Sequence, residues 1–327
     1  AAKLYEVDIE WVPLPIGRRA LDTHGHTLPP ETLETLHTLD GWILGPIGHR
    51  AYPKQASAIN PHPILRKQFN LFANVRPTRS YPDIGCLRND IDLIIVRENN
   101  EGFQPDRNML VGNAEFRPSD EMTLSMRVIT RTGSRRVAKA AFELARQRKK
   151  HLTYVHKDTV FKLGCGMFVE ECKKLAPEYP DVLVDDVIVD TMAMRLVRDP
   201  QNFDVIVTTN MFGDILSDEA AGLVGGLGMA PGLCIGDGDV AMAQATHGSA
   251  PDIAGKGIAN PYSMIESTRM MFDWLGHSRN VPAAVAMAKA MSDATTVALA
   301  NPNARTGDIN GKGNTATMAK AVLEALK

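Results

Sequence analysis

The sequence predicts an α/β protein, and two observations carry that prediction. Between residues 91 and 225, short apolar segments of strand length alternate with longer segments of helical periodicity. The strand segments at 91–97, 151–157 and 204–207 each end next to polar or charged side chains, where α/β proteins bind ligands. With 327 residues, the chain can form one large or two ordinary domains with an ample core.

Composition argues against several classes of function. A hydrophobic fraction of 44% and a charged fraction of 23% are typical of globular proteins. The formal net charge is −2 and no basic stripe alternates with aromatic residues, which argues against a nucleic-acid partner. No apolar run reaches the length of a membrane span, and the first residues lack the profile of a secretory signal. The cysteines show no metal-binding spacing, so we expect reduced thiols in a cytoplasmic protein.

Further strands are predicted from polarity and from apolar runs. Residues 7–12 alternate in polarity like a strand, and residues 41–46 form a short apolar strand that ends in a turn. Residues 126–130 have strand character, and residues 182–190 form a strand that runs into Asp190. The segment 102–120 between these strands is expected to be irregular.

Helices are predicted from apolar residues that recur at helical spacing. In the segment 64–72, Leu65, Phe69 and Phe72 fall on one helical face, and the chain then becomes extended before Pro77. Further helices are expected at 134–149, 191–197, 264–275, 281–298 and 316–326.

Two aspartates that follow the strand at 204–207 form a candidate metal site. We expect a helix to start at Asp214, and Asp218 lies one turn later on the same face. Two stacked carboxylates repel each other, and a divalent cation with oxygen ligands, Mg²⁺ or Mn²⁺, would relieve that repulsion. The alternative is an acidic first turn that water solvates, although the preceding strand and the Gly-rich run that follows favour a site.

Charged side chains at element ends are further candidates. Arg66, Arg76 and Arg97 lie at such ends, and arginine is the side chain suited to bidentate binding of carboxylates. The alternative is that these arginines are solvated or paired with acids. Lys157 and Asp190 occupy the same kind of position, after strands. Neither a dinucleotide-binding G-x-G-x-x-G between strand and helix nor a P-loop occurs.

Five segments together resemble one enzyme family. They are LRKQFNLFANVRP, IIVREN, the HK pair at 156–157, FDVIVTTNMFGDILSD and HGSAPDIAGKGIANP. In this order they are similar to the β-decarboxylating dehydrogenases: the isocitrate, isopropylmalate, homoisocitrate and tartrate/D-malate dehydrogenases. The resemblance covers nearly the whole chain, and its nearest members are the homoisocitrate, isopropylmalate and tartrate enzymes.

The resemblance implies a fold of two α/β domains with a large mixed sheet and a non-Rossmann cofactor site. The expected cofactor domain is discontinuous and comprises residues 1–72 and 226–327. The expected central domain, 73–225, carries the metal acids and the contact of a homodimer, or of a dimer of dimers, with shared active sites.

The same resemblance implies roles for single residues. Arg66, Arg76 and Arg97 match a clamp on the carboxylates of a malate-type substrate. Asp214 and Asp218 match metal ligands, and Asp190 matches a metal ligand and catalytic residue that the partner subunit supplies. Lys157 matches a catalytic lysine, which is also supplied by the partner subunit. A lysine near a bound cation is pushed toward its neutral form and can act as the base.

Residues 247–260 match the adenosine-binding loop of the family. The expected cofactor contacts are His247, Gly248, Ser249, Ala250, Asp252, Asn260, Asp308 and Thr159. Asp252 stands where NAD-dependent members hold the ribose hydroxyls, and its charge would repel a 2′-phosphate, so we expect NAD.

The sequence departs from the family pattern at Gln104, where the family has a proton-donating tyrosine. An amide donates no proton at neutral pH, so water serves as the donor, or oxidation proceeds without that step, or the enzyme is impaired. We expect slow turnover. Thr159 replaces a common asparagine near the nicotinamide, but a hydroxyl can still bond the carboxamide. Asn60 and His62 make the substrate loop more polar than in isopropylmalate enzymes, although His62 is equally well explained as a surface residue.

The family also opens with a strand and a Gly-rich turn that this sequence lacks, so we expect a native start upstream of Ala1. The main functional hypothesis is metal- and NAD-dependent oxidation, usually with β-decarboxylation, of a malate-type 2-hydroxy acid. One alternative is a catalytically weak relative that binds ligand or cofactor as a regulator. Another is a metal-dependent lyase, against which the adenosine-type loop argues.

Overall fold

A computed structural model describes residues 1–103, 115–238 and 240–327. The helices in these residues are α1 (Gly17–His24), α2 (Pro30–Leu36), α3 (Pro61–Gln68), α4 (Arg131–Arg146), α5 (Gly164–Leu175), α6 (Val189–Arg198), α7 (Asn210–Leu223), α8 (Tyr262–Ser278), α9 (Pro282–Ala300) and α10 (Thr315–Ala325). The strands are β1 (Gly41–Leu44), β2 (Ala73–Arg79), β3 (Asp92–Glu98), β4 (Glu115–Ser119), β5 (Met122–Ser125), β6 (His151–His156), β7 (Leu183–Ile188), β8 (Val205–Thr208), β9 (Leu233–Ile235) and β10 (Ala241–Gln244). This order confirms the predicted mixed α/β class.

The chain forms two compact units. Unit 1 comprises Ala1–Leu65, Tyr81–Leu87 and Val224–Lys327, and unit 2 comprises Arg66–Ser80 and Arg88–Leu223. The domain bounds expected from the sequence stay a prediction, because a compact unit is not by itself an independently folding domain.

Unit 2 contains a mixed sheet with the strand order β2-β3-β8-β6-β7. Strands β3, β8, β6 and β7 are parallel, whereas β2 runs antiparallel to β3. The parallel strands β3, β8 and β6 are almost wholly buried, as expected for strands covered on both faces. Helix α4 packs against all three of these strands, and α7 packs against β2, β3 and β8. The carboxyl ends of the parallel strands therefore meet at one edge.

Unit 1 contains the strands β1, β10 and β9. β1 pairs with β10 in parallel, and β10 pairs with β9 antiparallel. Helix α8 packs on these strands and on α9, and α9 packs on α10. The Ser267 hydroxyl of α8 accepts a hydrogen bond from Gly232 N at 2.9 Å, which fixes the helix against the turn before β9.

Helix α7 begins at Asn210, four residues before the predicted start. The predicted start at Asp214 leaves Gly213 outside the helix, but Gly213 lies inside α7. A β-carbon at Gly213 would lie 2.7 Å from Cβ and Cγ of Arg97. Glycine is therefore required here for the close approach of α7 to β3, and it does not end either element.

The predicted helix at 64–72 is shorter in the structure. It forms as α3, and the chain leaves it at Asn70, which has the left-handed φ of 47°. Leu71 N donates to Arg66 O at 2.8 Å, a bond of the type that closes helices at a left-handed residue. Phe72 consequently lies beyond the helix, directly before β2.

Two strand predictions and one loop prediction are wrong. Residues 7–12 form no strand, since alternation alone does not supply a hydrogen-bonded neighbour. At 126–130 there is only an isolated bridge between Val128 and Gly102. Strand β4 lies in the segment expected to be irregular, and it forms an antiparallel hairpin with β5, which follows that segment. All side chains of the hairpin are exposed, so no pattern of buried residues predicts it.

In the described part of the chain, no helix combines the length and apolar character needed to cross a bilayer. All four cysteines carry free thiols.

Candidate active site

Arg97 lies at the carboxyl end of β3 beside the end of β8 and the start of α7. Its register partner is Thr208 of β8, which places its side chain next to Asn210. Arg97 Nη2 donates to Asn210 Oδ1 at 2.8 Å, and Arg97 Nη1 donates to Asp214 Oδ1. Arg97 and Asn210 are buried. The adjacent parallel strands β3 and β8 thus place the Arg97 guanidinium next to α7, the helix that carries Asp214 and Asp218.

Arg76 of β2 reaches the same helix from the other side of β3. Its Nη1 donates to Ser217 Oγ at 2.7 Å and to Asp214 Oδ1 at 3.2 Å, and it lies 3.9 Å from Asp218 Oδ1. Its Nε donates to Asn74 Oδ1 at 3.3 Å. The predicted neighbours Arg76, Asp214 and Asp218 therefore converge.

The two aspartates of α7 have opposite pKa shifts. Burial raises the pKa of Asp214, but the charges of Arg97, Arg76 and Arg66 outweigh it, so the pKa of Asp214 is lowered overall. Burial also raises the pKa of Asp218, and the neighbouring charge of Asp214 adds to that rise. The pKa of Asp218 stays raised although Arg76 and Arg97 act against the shift.

Asp214 and Asp218 suit a hard divalent cation. Their side chains are 49% and 54% exposed, so their oxygens are open to a ligand, and carboxylate oxygens are the preferred donors for Mg²⁺ and Mn²⁺. Among the residues that the structure describes, no three acidic, histidine or cysteine side chains gather in one chain as a metal cluster. Asp190 thus forms no three-ligand group with Asp214 and Asp218 within the chain.

Lys157 and Asp190 form their own pair after neighbouring strands. Lys157 follows β6 directly and Asp190 lies in the first turn of α6, after β7. The Lys157 ammonium donates to Asp190 Oδ1, and this hydrogen bond lowers the pKa of Asp190. The exposed Thr159 lies two residues after Lys157, in the turn before α5.

The predicted cofactor loop lies in unit 1 and is anchored at His247. Its Nδ1 lies 2.9 Å from the carbonyl oxygen of Gly248, which can only accept, so Nδ1 carries the proton. Its Nε2 therefore accepts from the buried Ser263 hydroxyl at 2.7 Å. Ser249 and Asp252 are exposed in the turns that follow.

The structure brings together two distant members of the predicted cofactor set. Asn260 Nδ2 donates to Asp308 Oδ2 at 3.1 Å, and Asn260 Oδ1 accepts from Tyr262 N at 3.0 Å. A β-carbon at Gly228 would lie 2.9 Å from that same Asp308 oxygen, so glycine permits this approach. Ala250, another predicted contact, takes a left-handed φ of 42° in the loop.

Gln104 lies outside the described residues, but the segment that leads to it is anchored. Both oxygens of buried Glu98 accept backbone hydrogen bonds, from Asn100 N and Glu101 N at 2.8 Å each. Burial raises the pKa of Glu98 to about 7. The Glu101 carboxylate accepts from both Thr130 N and the Thr130 hydroxyl at the start of α4.

A second anchor is Arg127, which the sequence analysis missed. Its guanidinium carbon lies 4.8, 5.4 and 5.7 Å from the ring centroids of Phe161, Phe212 and Phe103. Its Nη2 also donates to Thr209 Oγ1 at 3.1 Å. The three aromatic residues follow β6, β8 and β3. The Arg127 guanidinium therefore links the segments that follow these three strands.

Asn74, Asn210 and Ser217 were also missed as contacts of the arginines. Asn74 lies two positions before Arg76, whereas Asn210 and Ser217 lie 113 and 141 positions from the arginines that they contact. The one available signal was the spacing of Asn210 and Ser217 around Asp214, which places polar side chains on one helical face.

Comparison with known proteins gives a consistent result. The family model described as isocitrate/isopropylmalate dehydrogenase matches residues 1–322. The 3-isopropylmalate dehydrogenase of Methanothermobacter thermautotrophicus is 41% identical over 98% of this chain and 91% of that protein. The isocitrate/homoisocitrate dehydrogenase of Thermus thermophilus is 41% identical over 98% of this chain and 90% of that protein.

Among solved structures, the isocitrate dehydrogenase from Methylococcus capsulatus matches with a TM-score of 0.86 and 38% identity. That match covers 99% of this chain and 92% of the other. The family match spans almost the whole chain, and the named relatives are dehydrogenases at well above the identity needed to share a family. The chain therefore belongs to the isocitrate/isopropylmalate dehydrogenase family and is a hydroxy-acid dehydrogenase of the oxidative decarboxylating type.

Proposed function

We propose that the protein oxidises a malate-type 2-hydroxy acid with NAD and Mg²⁺ or Mn²⁺, usually with β-decarboxylation. The candidate substrates are 3-isopropylmalate, homoisocitrate, isocitrate and tartrate or D-malate. The observation that carries this proposal is the convergence of buried Arg76 and Arg97 on Asp214 at the edge of the unit 2 sheet.

The charge of this cluster favours an anionic ligand. The cluster contains the guanidinium groups of Arg66, Arg76 and Arg97 and the carboxylates of Asp214 and Asp218. Its net charge is therefore one positive charge. A divalent cation on the aspartates would raise the excess to three. A hydroxy acid with two or three carboxylates matches that charge. A guanidinium group can also bind a carboxylate through two parallel hydrogen bonds.

Asp214 and Asp218 would hold the metal, with a third oxygen ligand from Asp190 of the partner subunit. When bound, the cation lowers the pKa of the substrate hydroxyl and polarises the ketone that forms. The arginines orient the substrate so that its hydroxyl faces the base. The partner subunit's Lys157 accepts the hydroxyl proton.

An exposed apolar face on α6 and α7 supports the proposed homodimer. Met194 and Val197 of α6 are 49% and 47% exposed, and Met211 and Ile215 of α7 are 37% and 57% exposed. The two helices pack against each other, so these side chains belong to neighbouring elements. A second copy of the chain that covers this face would bury its apolar side chains. The new interface would include α7, which carries Asp214 and Asp218.

The proposed cofactor is NAD, bound by the unit 1 residues of the 247–260 loop with Asp308. The exposed Asp252 carboxylate can accept hydrogen bonds from two ribose hydroxyls. It would repel the phosphate of NADP.

The decisive experiment is a substrate panel. The purified protein is mixed with NAD, Mg²⁺ and each candidate diacid or triacid, and NADH absorbance is followed while CO₂ release is measured separately. We expect NADH formation with at least one panel member, and its loss in EDTA and in Asp214→Asn. No NADH with any member would contradict the proposal.

Gln104 supports the second candidate, a relative that binds ligand or cofactor with little turnover. Gln104→Tyr restores a side chain that can donate a proton to the enol product. We expect this variant to turn over faster than the parent, most clearly in CO₂ release. A variant that is no faster would show that water or another group supplies the proton.

A further inference from the structure

Two guanidinium groups of the cluster donate to the Asp214 carboxylate, and each also donates to one neutral oxygen atom of the same helix. Arg97 Nη2 donates to Asn210 Oδ1 at 2.8 Å, and Arg76 Nη1 donates to Ser217 Oγ at 2.7 Å. All four residues are buried, with 1% to 5% of each residue exposed. Rotation of either guanidinium would therefore break a bond that water cannot replace.

The chemical nature of these acceptors matters. A carboxylate in either place would also satisfy the buried guanidinium, but it would cancel the charge that attracts an anionic ligand. An amide or hydroxyl oxygen fixes the plane of the fork and leaves the positive charge intact. Because two-point carboxylate binding depends on the direction of the fork, orientation and charge are both needed.

Helix geometry places the two acceptors so that they act together. Asn210 is the first residue of α7 and Ser217 follows two turns later, so both face the sheet side with Asp214 between them. Gly213 lets this face approach Arg97 to a distance that any β-carbon would prevent. One helix thus sets the arginines and carries the metal acids.

We propose that Asn210 and Ser217 are positioning residues for substrate binding, which keep Arg97 and Arg76 oriented for the carboxylates of a di- or tricarboxylic hydroxy acid without adding a negative charge to that of Asp214. This inference rests on the proposed function. It adds to that function a specific requirement: the acceptors must be neutral.

The test compares Asn210→Asp with Asn210→Ala in the full-length holoenzyme at saturating Mg²⁺ and NAD, with the panel member that the parent oxidises best. Aspartate keeps the acceptor and suits a helix start, so it preserves thermal stability, whereas alanine leaves Arg97 short of a buried acceptor and lowers stability. Substrate affinity is expected to be lower in Asn210→Asp than in Asn210→Ala, the opposite of the order of stability. We expect KM to rise about tenfold in Asn210→Ala and about thirtyfold or more in Asn210→Asp, with kcat within about threefold of the parent.

A purely structural role predicts that KM follows stability, with aspartate better than alanine. That result, or equal KM values in the two variants, overturns the inference while the proposed function stands. If Asn210→Ala does not fold, Ser217→Ala replaces it, and Asn210→Asp must still show the higher KM. A parent that oxidises no panel member overturns the proposed function and this inference with it. Asn303→Asp, an exposed site with the same change of charge, is the control and should leave KM unchanged.

Discussion

Arg76 Nη1 lies 3.2 Å from Asp214 Oδ1, although the two residues are 138 positions apart. Arg76 lies in the middle of β2, not at the element end that was predicted, and it reaches an aspartate of the helix that packs on this strand. The arginine charge helps to keep Asp214 ionised, since the pKa of this carboxyl is lowered despite its burial. A half-exposed carboxylate that stays charged has the donor atoms that a divalent cation prefers, and the arginine can keep its orientation beside it.

Shared active sites predict complementation between inactive variants. If the partner subunit supplies Lys157, then Lys157→Ala and Asp214→Ala homodimers are both inactive. Mixed and reassociated chains should recover about a quarter of the sites, because half of the dimers are mixed and one of their two sites is intact. Activity after co-refolding measures this, and each variant refolded alone is the control. No recovery would show that each chain builds its own site.

Glu98 predicts a pH-dependent stability. Burial raises its pKa to about 7 from 4.5, an effect that Glu101 reinforces and that Arg136 and two backbone N–H groups oppose. The folded chain therefore keeps a proton that the unfolded chain loses, and the free energy of unfolding falls as the pH rises from 4.5 to about 7. The loss amounts to on the order of 3 kcal/mol.

Urea unfolding at pH 5 and pH 8, at fixed protein concentration, measures this loss against Glu98→Gln. The variant lacks the titrating group, so its stability should change less between the two pH values. Glu121→Gln, at an exposed glutamate, should keep the parental slope. Parallel pH profiles in parent and Glu98→Gln would contradict the prediction.

The contacts of Arg127 lead us to expect that its replacement lowers the free energy of unfolding. Arg127→Met removes its contacts with the rings of Phe161, Phe212 and Phe103 and its bond to Thr209. We expect a loss of about 2 kcal/mol in the free energy of unfolding, and a smaller loss in Arg127→Lys, which keeps the charge.

The matched control for Arg127 is Arg117→Met on the exposed strand β4. Urea midpoints of the variants and the parent provide the comparison. If Arg127→Met is no less stable than Arg117→Met, the three aromatic contacts contribute nothing.

Asp252 predicts the cofactor preference. Asp252→Lys replaces a charge that repels a 2′-phosphate with one that attracts it, so the ratio of kcat/KM for NADP to that for NAD should rise at least about tenfold. Initial rates with each cofactor measure the ratio. Asp120→Lys, at an exposed hairpin turn, should leave it unchanged. An unaltered ratio in Asp252→Lys would show that the ribose of the cofactor that carries the 2′-phosphate in NADP does not bind at Asp252.

Features that depend on neighbouring residues could be predicted from the sequence, whereas features that depend on contacts between distant residues could not. The strands β3 and β6, which lead to Arg97 and Lys157, are apolar runs buried on both faces, and such runs are visible in the sequence. The spacing of Asp214 and Asp218 likewise fixes their common helical face. By contrast, the inclusion of Gly213 in α7 could not be predicted, because glycine is needed there for the close approach to Arg97, which only the folded chain reveals.

The remaining misses have the same origin. The β4–β5 hairpin has no buried face, so hydrophobic periodicity could not predict it. The role of Asn210 depends on a hydrogen bond to a residue 113 positions away. Family resemblance supplied the cofactor residues, and the contact between Asn260 and Asp308 was added by the structure.

We expect Asp214 and Asp218 to hold a divalent ion beside Arg76 and Arg97. A crystal grown with Mn²⁺ and the preferred hydroxy acid tests this directly through the anomalous signal of the metal. We expect a peak within coordination distance of both aspartate carboxylates, with the substrate carboxylates bound to the arginine side chains. A peak elsewhere, or two aspartates that point away from each other with the metal bound, would contradict it.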